Sequence, residues 1–192
     1  NRVHLLPNAC GLDPLRADGR RRAPGAGVLA MGLHRREGLE TAFAAWALDP
    51  TLPVLQIAGR DQGGARIDAW AGDSSDPRIR FLGPVWGKAR EDFLDTAAVW
   101  LAPYPDGELT RTRLCPLQVA DALGSGLGVV APDLPSIQAL AGPPPSPLTA
   151  YEVDDPNSLG AAVHRALRSP PPTATRRPTW VDRGQSLRRV VS

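Results

Sequence analysis

The residues of this chain best suited to chemistry lie between positions 110 and 135. Pro116 is typical of the first turn of a helix, and Arg111 and Arg113 precede it closely. The first N–H groups of a helix have no partner inside the helix, so this end of the segment could hold an anion such as phosphate. An ordinary helix cap with solvated arginines remains open as the alternative. Asp121, further along the helix, could accept hydrogen bonds from two adjacent hydroxyls or could be a solvated acid.

The elements that must position these residues alternate between short apolar strands and amphipathic helices. The predicted strands are Val3–Leu6, Gly27–Met31, Val54–Ala58, Ile79–Leu82, Ala98–Ala102, Val129–Ala131 and Thr149–Val153. The predicted helices are Gly38–Leu48, Gly64–Ala71, Lys88–Thr96, one from Pro116 to the glycine turn at 124–126, Ser136–Ala141, Pro156–Arg168 and Thr179–Val191. Residues 13–26, 110–116 and 142–147 are predicted as loops or irregular segments, and 169–178 as a proline-rich linker.

This alternation predicts an α/β, Rossmann-like parallel sheet with right-handed crossovers and helices on both faces. The near-continuous apolar strands agree, because parallel strands are buried on both sides. Ligands of such sheets bind at the carboxyl ends of the strands, which is where residues 110–116 would lie.

Composition excludes several classes of function. The chain has 192 residues with 42% hydrophobic and 22% charged residues, enough for one core, and its net charge of +2 does not indicate nucleic acid as a partner. Its two cysteines, Cys10 and Cys115, have no neighbours at metal-ligand spacing and are expected to be reduced thiols. No apolar run reaches the ~18 residues of a membrane span, no signal peptide is visible, and a cytoplasmic location is expected.

Two enzyme classes are disfavoured by the residues themselves. No Gly-x-Gly-x-x-Gly motif follows the first predicted strand, which argues against a dinucleotide-dependent dehydrogenase. Asp106 and Glu108 could form a glycosidase carboxylate pair, but two loop acids are weak evidence for that chemistry. The abundance of Ala, Arg, Pro and Gly is typical of a GC-rich bacterial genome.

Short motifs along the chain resemble one enzyme family in order and spacing. Residues 112–135 resemble the nucleotide-sugar-binding segment of retaining GT-B glycosyltransferases, in the group 1 or family 4-like set. The other motifs that carry this resemblance are Leu5–Asn8, Gly32–Glu40, Ile57–Gly59, Phe81–Val85, Val153–Leu159 and Trp180. The resemblance covers nearly the whole chain and implies the carboxyl-terminal, donor-binding half of a GT-B fold. Residues 1–192 are then a single domain, in which 170–192 form a linker and terminal helix that packs toward an amino-terminal domain.

The resemblance also implies roles for individual residues. Asp121 would bind the ribose of the donor, and Pro84 and Val85 would contact its base. The diphosphate would be held by Arg35, Arg36, Arg111, Arg113, Leu114, Cys115 and Leu117. The nucleoside-diphosphate sugar is a substrate, and neither a metal nor a further cofactor is expected. The catalytic residues are expected on the amino-terminal domain.

With that domain in cis or in trans, the implied activity is retaining transfer of a hexosyl unit from the nucleoside-diphosphate sugar to a hydroxyl acceptor in carbohydrate biosynthesis. The chain begins at Asn1 without a methionine, so an upstream portion is expected, and the isolated chain is expected not to turn over. Association with a membrane surface, if any, is expected through that other half.

Three positions depart from the family pattern. Glu37 and Gln118 stand where the family has lysines, and Arg113 stands where it has the first glutamate of a pair. Neighbouring arginines could replace the lost positive charge, because Arg binds phosphate in a bidentate manner. The departures leave a second hypothesis open, a non-catalytic GT-B-like module that binds a nucleotide or a protein. An epimerase of the same fold would need active-site carboxylates that the sequence does not place.

Overall fold

The computed structural model describes residues 28–33, 38–61, 76–112, 116–124, 127–141, 146–169 and 180–191. Its strands are β1 (Val28–Leu33), β2 (Leu55–Asp61), β3 (Ile79–Gly83), β4 (Val99–Leu101), β5 (Gly128–Pro132) and β6 (Leu148–Tyr151). Its helices are α1 (Leu39–Leu48), α2 (Gly87–Thr96), α3 (Glu108–Thr112), α4 (Leu117–Gly124), α5 (Pro135–Ala141), α6 (Pro156–Arg168) and α7 (Trp180–Val191). The predicted strand Val3–Leu6, the loop 13–26, the helix Gly64–Ala71 and all of the predicted linker except Ser169 lie outside the described residues.

The six strands form one parallel sheet in the order β3-β2-β1-β4-β5-β6. Val28 of β1 is paired with Leu55 of β2 on one side and with Val99 of β4 on the other. The chain therefore builds outward from β1 in one direction and then returns to build outward from β4 in the other. The boundary between β1 and β4 is the topological switch point, where sheets of this kind open a crevice at the carboxyl ends of the strands.

Each face of the sheet carries its own core cluster, so the prediction of helices on both faces is confirmed. The first core cluster packs α1 and α6 against one face, and the second packs α2, α4 and α5 against the other. Along β4, Val99 and Leu101 belong to the first cluster and Trp100 to the second, because successive side chains of a strand point to opposite faces. All three are essentially inaccessible to water.

Helix α6 shows how local sequence sets an element. The Asp155 side chain caps its start by accepting hydrogen bonds from the N–H groups of Asn157 at 2.8 Å and Ser158 at 3.1 Å, and Pro156 occupies the first turn. Its apolar stripe, which includes Leu159 and Val163, is buried in the first core cluster. The boundaries predicted for this helix are confirmed.

The sequence prediction failed at residues 110–112, which belong to helix α3 rather than to a loop. Gly107 begins this turn, since its carbonyl oxygen accepts hydrogen bonds from the Arg111 N–H at 2.9 Å and the Thr110 hydroxyl at 2.8 Å. Five residues are too few for a periodic apolar pattern, so these hydrogen bonds to Gly107, rather than a buried face, mark the helix. Residues 113–115 lie outside the described ranges.

Candidate functional site

The loops that follow β1 and β4 touch at the switch point. Gly38, just before α1, adopts the left-handed conformation with φ of 60°. A Cβ atom at this position would lie 1.9 Å from the Pro103 carbonyl oxygen and 3.1 Å from the Pro105 nitrogen, so the approach requires glycine. The contact fixes the start of α1 against the loop after β4, at the edge of the sheet where ligands bind.

The loop after β4 is held closely against the fold. Ala102, Pro103 and Tyr104 are buried, and the Ala102 N–H donates to the Val130 carbonyl oxygen at 2.9 Å, which extends the pairing of β4 with β5. The Tyr104 N–H donates to the Ala102 carbonyl oxygen at 3.0 Å and turns the chain. The chain then leaves the buried part of the fold and reaches the surface at Asp106.

Asp106 and Arg111 form a bidentate ion pair at the end of this loop. The Arg111 Nε donates to Asp106 Oδ1 at 2.5 Å, and a terminal guanidinium nitrogen donates to Oδ2 at 2.8 Å. The guanidinium holds the pKa of the Asp106 carboxyl below its usual value, and the carboxylate raises the pKa of Arg111. The guanidinium group of Arg111, which was predicted to bind a diphosphate, thus binds the carboxylate of Asp106 in the same chain.

Asp106 also connects two loops of the carboxyl edge. Its N–H donates to Asp154 Oδ2 at 3.3 Å, across a separation of 48 residues. Asp154 lies in the turn after β6 with φ of 59°, a conformation that few residues other than glycine adopt. The loops after β4 and β6 are therefore joined through these two acids, and neither acid's structural part in this was predicted from the sequence.

Asp121 is the buried acid of helix α4. Its exposed fraction is 8%. Among the described residues, Asp121 and Thr110 are the buried polar or charged ones. Leu117, one turn earlier and placed on the same face by the spacing, is 50% exposed. The helix therefore begins at the surface and becomes buried by Asp121, one turn later.

The segment after β3 contains the two residues assigned to a base. Pro84 is exposed, whereas Val85 is partly buried against the second core cluster. The next residue, Trp86, is 73% exposed, and the sequence analysis did not single it out. An aromatic side chain beside a predicted ligand loop was the signal that could have identified it.

The structure describes only part of the predicted site. It describes Asp121, Arg111, Leu117, Pro84 and Val85, whereas Arg35, Arg36, Arg113, Leu114 and Cys115 lie outside the described residues. Of the positions that depart from the family pattern, Gln118 is partly buried in α4, and Glu37 and Arg113 lie outside. Within the described ranges, no group of three His, Cys, Asp or Glu side chains could hold a metal ion, and no helix is long and apolar enough to cross a membrane.

No protein-family model and no curated protein matches this chain. Solved structures do match it in fold. A structure of HepE from Anabaena in complex with UDP and glucose matches with a TM-score of 0.67 and 13% identity, over 94% of this chain and 53% of HepE. AviGT4, a glycosyltransferase of avilamycin A biosynthesis, matches with a TM-score of 0.61 and 20% identity, over 93% of this chain and 50% of AviGT4. This chain therefore spans about half the length of both.

The catalytic domain of the cholesterol-α-glucosyltransferase of Helicobacter pylori also matches, with a TM-score of 0.57 and 14% identity over 76% of this chain and 87% of that domain. At these identities the similarity establishes the fold. The chain has the parallel α/β fold of one half of a GT-B glycosyltransferase, as the sequence motifs predicted.

Proposed function

We propose that this chain is the donor-binding half of a glycosyltransferase. Together with an amino-terminal domain, in cis or in trans, it would transfer a hexosyl unit from a nucleoside-diphosphate sugar to a hydroxyl acceptor, with retention. The observation that carries the proposal is the match over 94% of the chain to a structure that holds UDP and glucose. The contact between Gly38 and Pro103 supports it, since that contact joins the loops after β1 and β4 at the switch point, where sheets of this kind bind ligands.

The diphosphate is assigned to the loop after β4 and the start of α4. Cleavage of the anomeric C–O bond builds negative charge on the leaving nucleoside diphosphate, and fixed donors aimed at that charge accelerate the step. The eight-residue helix α4 offers its first-turn N–H groups, and Arg111 offers a cation once it exchanges Asp106 for phosphate oxygens. The further residues assigned to the diphosphate are Arg35, Arg36, Arg113, Leu114, Cys115 and Leu117.

The ribose is assigned to Asp121 and the base to Pro84 and Val85. A carboxylate can accept hydrogen bonds from both ribose hydroxyls at once. The catalytic residues are assigned to the amino-terminal domain, so the isolated chain binds the donor without turnover. We place the reaction in the cytoplasm of a bacterium, with any contact to a membrane surface made by the other half.

The second hypothesis is a GT-B-like module that no longer catalyses transfer. Two observations favour it: Gln118 replaces a cation that the family pattern expects, and the Arg111 guanidinium is held by Asp106. Both reduce the positive charge available to a diphosphate. This module would bind a nucleotide weakly, or bind a protein instead.

Calorimetric titration of the chain with UDP, GDP, ADP and their sugars tests whether the chain has a donor site, which a module that binds only a protein would lack. Donor binding predicts that one base is preferred and that its nucleoside diphosphate binds in the micromolar to low millimolar range. If none of these compounds binds at millimolar concentration, the assignment of a donor site is wrong.

Substitution of Asp121 tests whether this residue binds the ribose. Asp121→Ala should weaken nucleoside-diphosphate binding by about 1–3 kcal/mol, since a hydrogen bond to a charged group is lost. Asp121→Asn keeps the shape and should lose most of the same affinity. Asp92→Ala removes an exposed acid on α2 and serves as the matched control. Circular dichroism should show that each variant is folded, and unchanged affinity in folded Asp121→Ala would remove Asp121 from the site.

A further inference from the structure

Trp86 is the most exposed of the large hydrophobic side chains in the described part of the chain, at 73%. It lies in the short segment between β3 and α2, at the carboxyl edge of the sheet. An exposed indole offers a large flat aromatic face on which a ligand can pack. Its position raises the question of which ligand would reach it.

The backbone holds Trp86 outward. Gly83 and Gly87, which bracket the segment, have φ of 70° and 52°, and a Cβ atom at either position would meet nothing within 4 Å. Glycine is therefore required there by the turns and not by crowding. Val85 packs against the second core cluster, whereas Trp86, the next residue, is exposed to solvent.

We propose that Trp86 is the surface on which the nucleobase of the donor stacks, an inference that rests on the proposed function. In the sheet order, β3 lies two strands from β1 and three from β4. Neighbouring strands are 4.7–4.9 Å apart, so the end of β3 is about 10–15 Å from the switch point. A nucleoside diphosphate whose phosphates occupy the switch point can span that distance and bring its base to Trp86.

By stacking, the Trp86 indole would recognise the flat aromatic face of the nucleobase. Every base has a π-face, so an aromatic platform contributes affinity without choosing among bases, while hydrogen bonds from the neighbouring backbone can provide the choice. Trp86 should therefore raise the affinity for the nucleoside part of the donor and leave the affinity for its phosphates unchanged.

The test compares ligands with and without a base. UDP, GDP, ADP and inorganic pyrophosphate are titrated into the wild-type chain, Trp86→Ala, Trp86→Phe and the control Trp180→Ala, which removes the exposed tryptophan of α7. Trp86→Ala should weaken the preferred nucleoside diphosphate about tenfold, Trp86→Phe should retain most of the affinity, and pyrophosphate should bind all four proteins equally.

The two proposals fail in different ways. A wild-type chain that binds no nucleoside diphosphate would contradict the proposed function, and the stacking role with it. Equal affinity in wild type and folded Trp86→Ala would overturn the stacking role while leaving the donor site intact. An equal loss of pyrophosphate and nucleotide affinity would also overturn it, because the effect would then be a general disturbance of the loop.

Discussion

Replacement of Gly38 by alanine tests the contact between the loops after β1 and β4. An alanine Cβ would lie 1.9 Å from the Pro103 carbonyl oxygen and 3.1 Å from the Pro105 nitrogen. Both are backbone atoms, so no side-chain rotation can relieve the overlap. The residue would also have to keep φ of 60°, which L residues avoid.

The cost follows from these two effects. The left-handed conformation costs about 1–2 kcal/mol for a residue with a Cβ. Forcing an extra carbon into a closely packed place costs about 1–3 kcal/mol more. Gly38→Ala should thus lower the free energy of unfolding by about 2–5 kcal/mol, a large part of the stability that a domain of this size usually has.

Urea unfolding followed by circular dichroism measures this loss, with Gly87→Ala as the matched control. Gly87 has φ of 52°, but a Cβ there meets nothing within 4 Å, so the control should show the conformational cost of about 1–2 kcal/mol without the overlap. If Gly38→Ala is no more destabilising than Gly87→Ala, the loops after β1 and β4 do not approach as described. A folded Gly38→Ala protein should also bind nucleoside diphosphates more weakly, because the loops would separate.

The ion pairs provide two further predictions. Asp106→Asn should raise nucleoside-diphosphate affinity about two- to fivefold by calorimetry, because it releases the Arg111 guanidinium, and the same substitution in an Arg111→Ala background should change nothing. Lower affinity in Asp106→Asn would mean that the pair positions Arg111 rather than competing for it. Hydrogen bonds from Thr51 and His164 hold the pKa of Asp49 at about 2, below its usual 3.8, so its contribution to stability is present above about pH 4 and is lost as the pH falls toward 2. Urea midpoints measured from pH 5 to pH 2 should fall more steeply in wild type than in Asp49→Asn, and equal slopes would exclude Asp49 as a source of the acid sensitivity.

Much of the fold could be predicted from the sequence because local patterns encode it. The apolar stripe of α6 and the caps at Asp155 and Pro156 depend on neighbouring residues, and the bounds predicted for this helix are confirmed. The parallel sheet with helices on both faces followed from the alternation of strands and helices. Helix α3 was missed because it is marked by hydrogen bonds to the Gly107 carbonyl oxygen, and such bonds leave no periodic pattern in the sequence.

The candidate site divides in the same way. The types of group available can be read from the sequence, which has arginines before a helix and an acid within it. The sequence also predicts that residues 110–116 lie at the carboxyl ends of parallel strands. The folded arrangement was needed to show that Gly38 touches Pro103 and that the Asp106 N–H donates to the Asp154 carboxylate. It was also needed to show that Trp86 faces solvent while Val85 packs against the core. Helix and strand patterns arise from residues a few positions apart. A contact between loops depends on the order of distant strands in the sheet. The pattern of residues within one helix or strand does not specify that order.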